Sequence, residues 1–348
     1  MFIRNCWYVI AWDHEIAADA LFARKVIGEP IVAFRTQAGE IVALEDRCCH
    51  RGAPLSKGRK EGDCVRCGYH GLKFDQRGTC VEIPGQDGVP PKVRVRSYPV
   101  AVQNKWVFAW MGDPARADRT LLPDNFSCDH PGWRNKPGYL HYDTPILPIC
   151  DNLLDFSHLS YVHEKTLGGS TAIAQARPAI EDVARGIRVS RHIANVPAPP
   201  YYRRFRRFDG PIDRWFVYDF LLPGTLLMHS GGRPVGDATD DMRRAVELHS
   251  CQTLTPETES STHYFFQQSH RAGQGDATLT DIIYDSLVAA FDEDRAMITA
   301  QVKNLALAPE RPLVPLAMDA ALVRFRRLVD AALRAERPAE HEGTYTLG

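Results

Sequence analysis

The chain has 348 residues, of which 44% are hydrophobic and 24% charged, a length at which a single core gives way to two packed domains. That composition excludes disordered, collagenous and coiled-coil classes. With 42 basic against 43 acidic side chains and a net charge of -1, no global field attracts a polyanion, so nucleic acid is not an expected partner.

The first residues mix Arg4, Asp13, His14 and Glu15 into their apolar positions, unlike the unbroken apolar core of a signal peptide. No stretch reaches the roughly 18 apolar residues of a membrane helix. A cytoplasmic protein with no membrane partner is expected. Cys48, Cys49, Cys64, Cys67 and Cys80 crowd into one short region, and in a reducing compartment such crowding favours metal binding over disulfides.

From Trp7 to about Gly112 the chain reads as short strands between turn residues, at 30–35, 39–44, 93–102 and 106–110. Their β-branched and aromatic enrichment predicts a small all-β domain. Residues 113–123, polar and bounded by proline, predict a linker, which places domains at 1–115 and 116–348. In the second part, 149–163 has helical character, and 186–196, 215–222, 246–254 and 260–268 alternate or run apolar as strands do. Helices are predicted over 276–305 and 318–334. That order predicts an α+β domain, an antiparallel sheet flanked by helices.

Two side-chain constellations carry chemistry. The first is Cys48-Cys49-His50 with Cys67-Gly68-Tyr69-His70, two thiolates and two imidazoles on two loops. A Rieske-type 2Fe-2S cluster uses that set, with two Cys on one iron and two His on the other, which raises its potential. Its His edge, here His50 and His70, is a natural exit for electrons. The competing assignment is a tetrahedral zinc held by Cys48, His50, Cys64 and Cys67. The flanking runs CHRGAPL and CGYHGLKF resemble the two signature loops of the Rieske oxygenases, which implies the cluster and leaves Cys49 and Cys64 as non-ligands.

The second constellation lies between Asp151 and His163. A helix puts Asp155 and His158 on one face, but His158 and His163 stand about 140° apart on an ideal helix. Both reach one ion only if the helix ends, bends or bulges between them, so an irregularity is predicted there. A carboxylate completes a 2-His-1-carboxylate iron site with positions open to dioxygen. Asp294 is the candidate, because it falls in the apolar stripe of Leu279, Ile283, Leu287, Phe291 and Ile298, where a bare charge is costly and a metal ligand is compensated. Pairing with a buried arginine is the alternative for Asp294, whereas Asp292 and Glu293 are expected in solvent.

With both constellations present, the chain resembles the oxygenase component of Rieske non-haem iron oxygenases, most of all the group of vanillate O-demethylase, arenesulfonate methyl-monooxygenases and dicamba demethylase. The resemblance runs from Asn5-Cys6-Trp7-Tyr8-Val9 through both cluster loops and the Asp151 to His163 segment to Phe291-Asp292-Glu293-Asp294. It implies a Rieske 2Fe-2S cluster on Cys48, His50, Cys67 and His70, and a mononuclear Fe(II) on His158, His163 and Asp294. It further implies that Asp155 bridges a cluster histidine of one subunit, His70, to the iron histidine His158 of the next, in a head-to-tail homotrimer. Asn152 corresponds to a polar position near the iron.

The implied activity is monooxygenation of a small aromatic acid, by O-demethylation of an aryl methyl ether or hydroxylation of an aryl methyl group. Electrons would come from NADH or NADPH through a separate flavin and 2Fe-2S reductase, because the chain has neither a dinucleotide fingerprint nor a plant-type ferredoxin cysteine run. Trp215, His249 and Arg233 are candidates to shape the substrate pocket. Three other functions compete: a Rieske dioxygenase that dihydroxylates rings or cleaves diaryl ethers of the phenoxybenzoate type, a pure electron carrier, and a zinc-stabilised binding module.

Overall fold

The structure, a computed structural model, describes residues 2–164, 166–167, 171–240 and 242–336. The N-terminal third forms three small antiparallel sheets. One joins Cys6–Trp12, Trp106–Met111 and Val100–Gln103, and a second runs through Phe22–Val26, Glu29–Arg35, Ile41–Glu45 and Ser97–Tyr98. The third, Arg59–Glu61, Cys64–Arg66, Lys73–Phe74 and Cys80–Glu82, carries the second cysteine loop. Its strands are only two or three residues long, so pairing alone holds little. A buried core of Val32, Phe34, Leu44, Leu55, Val65 and Phe74, which includes Cys48 and Cys67, holds it to the neighbouring sheet.

The C-terminal two thirds is built on one antiparallel sheet in the order Trp133–Arg134, Thr262–Arg271, Val246–Pro256, Thr225–Pro234, Ile212–Leu221, Gly186–Val196, Ala179–Val183, with Gly138–Tyr142 also paired to Thr262–Arg271. Helices α1 (Ile146–Leu154), α2 (Thr171–Gln175), α3 (Ala277–Leu307) and α4 (Ala320–Ala335) accompany it. Period-two alternation sets its two faces. Ile212, Arg214, Phe216, Tyr218 and Phe220 lie in one phase, all buried. Trp215, Val217 and Asp219 lie in the other.

The strand Thr225–Pro234 escapes the sequence pattern, because its run TLLMHSGGRP holds two glycines and a proline. The glycines are required. A Cβ on Gly231 would meet the carbonyl oxygen of Val246 at 2.2 Å, and one on Gly232 would meet the ring of Tyr202 at 2.7 Å.

The two parts share a packed seam. Trp7, Trp12, Trp106, Phe108 and Trp110 bury against Cys251 and Phe265 of the large sheet. Trp12 Nε1 donates to the Gly138 carbonyl at 2.9 Å, and Thr255 Oγ1 to the Val9 carbonyl at 2.6 Å. Among the described residues no helix is long and apolar enough to cross a membrane.

Candidate metal centres and substrate cavity

The first cysteine loop follows Ile41–Glu45 and the second links Cys64–Arg66 to Lys73–Phe74. Each is closed by the same backbone device. Cys48 N–H donates to Ala53 and Gly52 N–H to Cys48, while Cys67 N–H donates to Leu72 and Gly71 N–H to Cys67. Gly52 and Gly71 occupy φ of 69° and 76°, the left-handed region that glycine enters without strain. Asp46 tightens the first loop by accepting from Ser56 N–H at 2.6 Å, and Arg66 Nη1 the second by donating to the Gly71 carbonyl at 2.7 Å.

Cys48 and Cys67 are 2% exposed, whereas His50 and His70 are exposed, with ring centroids 4.6 Å apart. Burial first, and then the neighbouring Cys67, push the Cys48 thiol up to about 11. A bound metal reverses that by stabilising the thiolate. Among the described residues no three of Cys48, His50, Cys64 and Cys67 bring ligand atoms within 4.8 Å of one another, as a single tetrahedral zinc would require. Paired sulfurs inside and paired imidazoles outside fit a two-iron cluster instead.

The irregularity expected between His158 and His163 falls earlier: the helix ends before His158. α1 stops at Leu154, Asp155 is extended (φ -121°, ψ 96°), and a 3-10 turn covers Phe156–Ser160. Asp155 and His158 therefore do not share a helix face as expected: Asp155 caps the new turn, Oδ1 accepting from Ser157 N–H at 2.9 Å and Oδ2 from the Ser157 hydroxyl at 2.6 Å. Phe156, stacked on Tyr218 at 4.7 Å, and Tyr218 Oη, donating to the Leu154 carbonyl at 3.0 Å, seat this break on the sheet. α3 is seated by Tyr142 Oη, which donates to the Phe291 carbonyl at 2.8 Å.

His158, His163 and Asp294 thereby converge, their ligand atoms within 4.8 Å of one another. Asp294 Oδ1 stands 3.1 Å from His163 Nε2 and 3.5 Å from His158 Nε2. Each ring's other nitrogen is occupied: His158 Nδ1 donates to the Asp155 carbonyl, and His163 Nδ1 to Glu293 Oε2 at 2.8 Å. That leaves both Nε2 lone pairs for a cation, the donor chemistry of a 2-His-1-carboxylate iron site. Burial pulls His158 below its ordinary range, keeping it neutral. Burial also pulls on His163, but Asp294 and Glu293 beside it carry it net upward, and a cation takes that proton's place. Asn152 Nδ2 donates to Asp294 Oδ1 at 3.0 Å.

Several expectations need correction. Glu293 is not left to solvent: it accepts from His163 and, at 2.8 Å, from Thr166 Oγ1. A metal-ligating histidine needs an acceptor on its second nitrogen, which was the signal for it. Asp292 does stay exposed, paired with Arg295. Asp294 pairs with no arginine among the described residues. Within one chain Asp155 meets His158 through its main-chain carbonyl, and its carboxylate is engaged by Ser157.

A cavity of about 90 Å³, several times the ~10–15 Å³ one water needs, opens onto the triad. Its walls are mostly apolar, among them Leu153, Phe216, Leu248 and Phe291, with Ser230, Gln252, Gln268 and Arg214 as polar points. None of Trp215, His249 and Arg233 lines it. They belong to the opposite phase of the sheet, where Arg233 lies over Trp215 and His249 stacks on His229 at 4.7 Å. That face also gathers His229, Glu247 and His249, but Glu247 is already held by His229 at 3.1 Å and by Arg271 at 2.6 Å.

One centre exposed at the surface and one buried among apolar walls, in a single chain, define an oxygenase component that receives electrons from outside and uses them inside. It has a Rieske 2Fe-2S domain and a His/His/Asp mononuclear iron site. Residues 6–99 match the Rieske [2Fe-2S] domain and 142–335 the vanillate O-demethylase oxygenase C-terminal domain. The chain is 48% identical to the iron-sulfur subunit TsaM1 of the toluene-4-sulfonate monooxygenase system of Comamonas testosteroni, over 97% of this chain and 98% of the relative. It is 34% identical to a vanillate O-demethylase oxygenase subunit of Pseudomonas sp., over 97% of each. The crystal structure of dicamba monooxygenase bound to 3,6-dichlorosalicylic acid superposes with a TM-score of 0.89 at 30% identity, over 97% of this chain and 99% of that one. The chain belongs to the vanillate O-demethylase group of Rieske non-haem iron monooxygenases. The electron-carrier and zinc-module alternatives fall with that assignment.

Proposed function

We propose that the protein oxidises the methyl or methoxy group of a small aromatic acid. The observation that carries this reading is the largely apolar cavity whose wall includes His158, His163 and Asp294. The names of the relatives agree with it, since one acts on toluene-4-sulfonate and others on vanillate and dicamba.

In this reading Cys48, His50, Cys67 and His70 hold the cluster in a domain over 1–115, and His158, His163 and Asp294 hold Fe(II) in a domain over 116–348. When bound, the two centres supply single electrons and an activated oxygen. The chain's own residues orient and exclude: the Asp155 carbonyl and Glu293 fix the two ring tautomers, Asn152 holds Asp294, and the apolar walls keep water from the reacting methyl group. Hydroxylation of a ring methyl yields a benzylic alcohol, and hydroxylation of a methoxy carbon yields a phenol and formaldehyde. Each turnover consumes one dioxygen, two electrons and two protons and releases one water.

The exposure of His50 and His70, set against the burial of the triad, supports electron delivery between subunits, with Asp155 at the junction of a head-to-tail trimer. A flavin and 2Fe-2S reductase using NADH or NADPH is the proposed electron source. All nine cysteines are free, which suits the reducing cytoplasm. The test is turnover of 4-toluenesulfonate and methoxybenzoates with reductase, NADH and labelled dioxygen. One labelled oxygen atom in the alcohol, or formaldehyde release, is expected; no substrate-dependent oxygen uptake with any aromatic acid overturns the reading.

A further inference from the structure

We infer that Arg214 is the cavity's anion anchor, binding the sulfonate or carboxylate of an aromatic acid and setting the preference for charged over neutral arenes. This deepens the substrate reading above and rests on it. Two arginines are fully buried among the described residues, Arg191 and Arg214, each 5% exposed. They differ in partners. Arg191 donates to the Ile173 carbonyl at 2.9 Å and stands 4.0 Å from Asp155. Arg214 has no ion pair and no side-chain hydrogen bond to any described residue, and its Nε is buried with nothing to receive it.

Its position makes this more than a packing accident. Arg214 occupies the inward phase of Ile212–Leu221, the one charge among Ile212, Phe216, Tyr218 and Phe220, and it lines the cavity that holds the triad. Its guanidinium carbon lies 5.0 Å from the ring centroid of Tyr202 and 5.1 Å from that of Phe216. Those rings offer π faces, which ease burial of the cation without satisfying its N–H groups. Gly232 leaves the space Tyr202 fills. A buried cation with unmet donors is expensive unless a ligand brings the counter-charge. A guanidinium fork accepts two oxygens of a carboxylate or sulfonate at once, a geometry lysine does not reproduce. An acid so held, enclosed in one cavity with the triad, presents its uncharged end to the iron site, which is the positioning that methyl oxidation needs.

The experiment compares 4-toluenesulfonate with its neutral isostere, 4-methylphenyl methyl sulfone, on metal-loaded wild type, Arg214→Met and Arg214→Lys, by calorimetric binding and by turnover. Arg214→Met is expected to weaken sulfonate binding and raise its KM on the order of 100-fold while costing the sulfone far less, with Arg214→Lys in between. Cluster absorbance and iron content should match wild type, and the melting temperature of Arg214→Met should be equal or higher. Equal losses on both compounds, or unchanged preference for the sulfonate, overturn the anchor. If Arg214→Met loses its metals, Arg214→Lys carries the same comparison. Arg214-dependent sulfonate binding without oxidation would keep the anchor and sink methyl oxidation; oxidation with Arg214-independent preference would do the reverse.

Discussion

The two metal regions are built on opposite principles. The cluster loops are local: their four candidate ligands lie between positions 48 and 70, each loop is closed by its own backbone hydrogen bonds, and the histidine edge faces out. The iron site is assembled from afar. His158 and His163 sit at the broken end of α1, Asp294 comes from α3, and side chains such as Asn152 and Glu293 tie the two elements together. An electron relay must be reachable by a partner, so its ligands can sit on surface loops. A centre that activates oxygen must be kept from water, so its ligands sit where distant elements close over a cavity.

Ligand removal should break this contrast most sharply. Asp294→Ala is expected to abolish turnover and iron binding while the cluster's visible absorbance persists, and Cys67→Ala to remove that absorbance while ferrous iron is still bound at the second site. Metal analysis of the two variants checks the separation; joint loss of both metals in either one would show the regions to be coupled. Next in size is Asp155→Asn, which keeps an oxygen to cap Ser157 but loses the charge. Turnover should fall roughly 10- to 100-fold with both metals retained. Unchanged turnover would remove Asp155 from the electron path.

Glu293→Gln sharpens the second region alone. With a weaker acceptor on His163 Nδ1, iron affinity should fall about 10-fold, read by competition with a chelator, with the cluster's reduction potential unmoved. A last effect, on stability and confined to acid pH, concerns the seam between the regions. His263, buried between the Lys25 carbonyl at 2.9 Å and Tyr139 Oη at 2.8 Å, is held down to about 4 by burial and by Arg24. Unfolded, it binds a proton near pH 6.5. Stability therefore falls as pH drops from about 6.5 to about 4, by roughly 3 kcal/mol for this residue, and is flat above that range. His249, held near 4 by burial and by His229, adds a slope of the same sign. Thermal melts of His263→Gln should show a shallower acid limb, and an unaltered limb would dismiss the seam as a pH-sensitive joint.

Much of this was legible along the chain, for reasons particular residues make plain. The cluster loops announce themselves because ligands, glycines and proline are neighbours in sequence. Asp294 was legible because a carboxylate in the stripe of Leu279, Ile283, Leu287, Phe291 and Ile298 violates helical burial unless a cation meets it. The strand Thr225–Pro234 was not, since its glycines are demanded by neighbours from other strands. The pocket residues were misread for a related reason. Trp215, His249 and Arg233 have the right chemistry and the wrong phase, whereas Arg214 has both, and phase decides the face only once a strand is paired.

Sequence alone thus determined the ligand types, the α+β order and the need for a break in the helix near the two histidines, because these follow from spacing, periodicity and the coordination habits of iron. Which nitrogen of each ring is left without a carbonyl or Glu293 partner, the role of Glu293, and the placing of Arg214 inside the cavity were decided only by tertiary structure. Those depend on contacts between residues far apart in the chain, and one step of strand register would have turned Arg214 to the sheet's other face, away from the cavity.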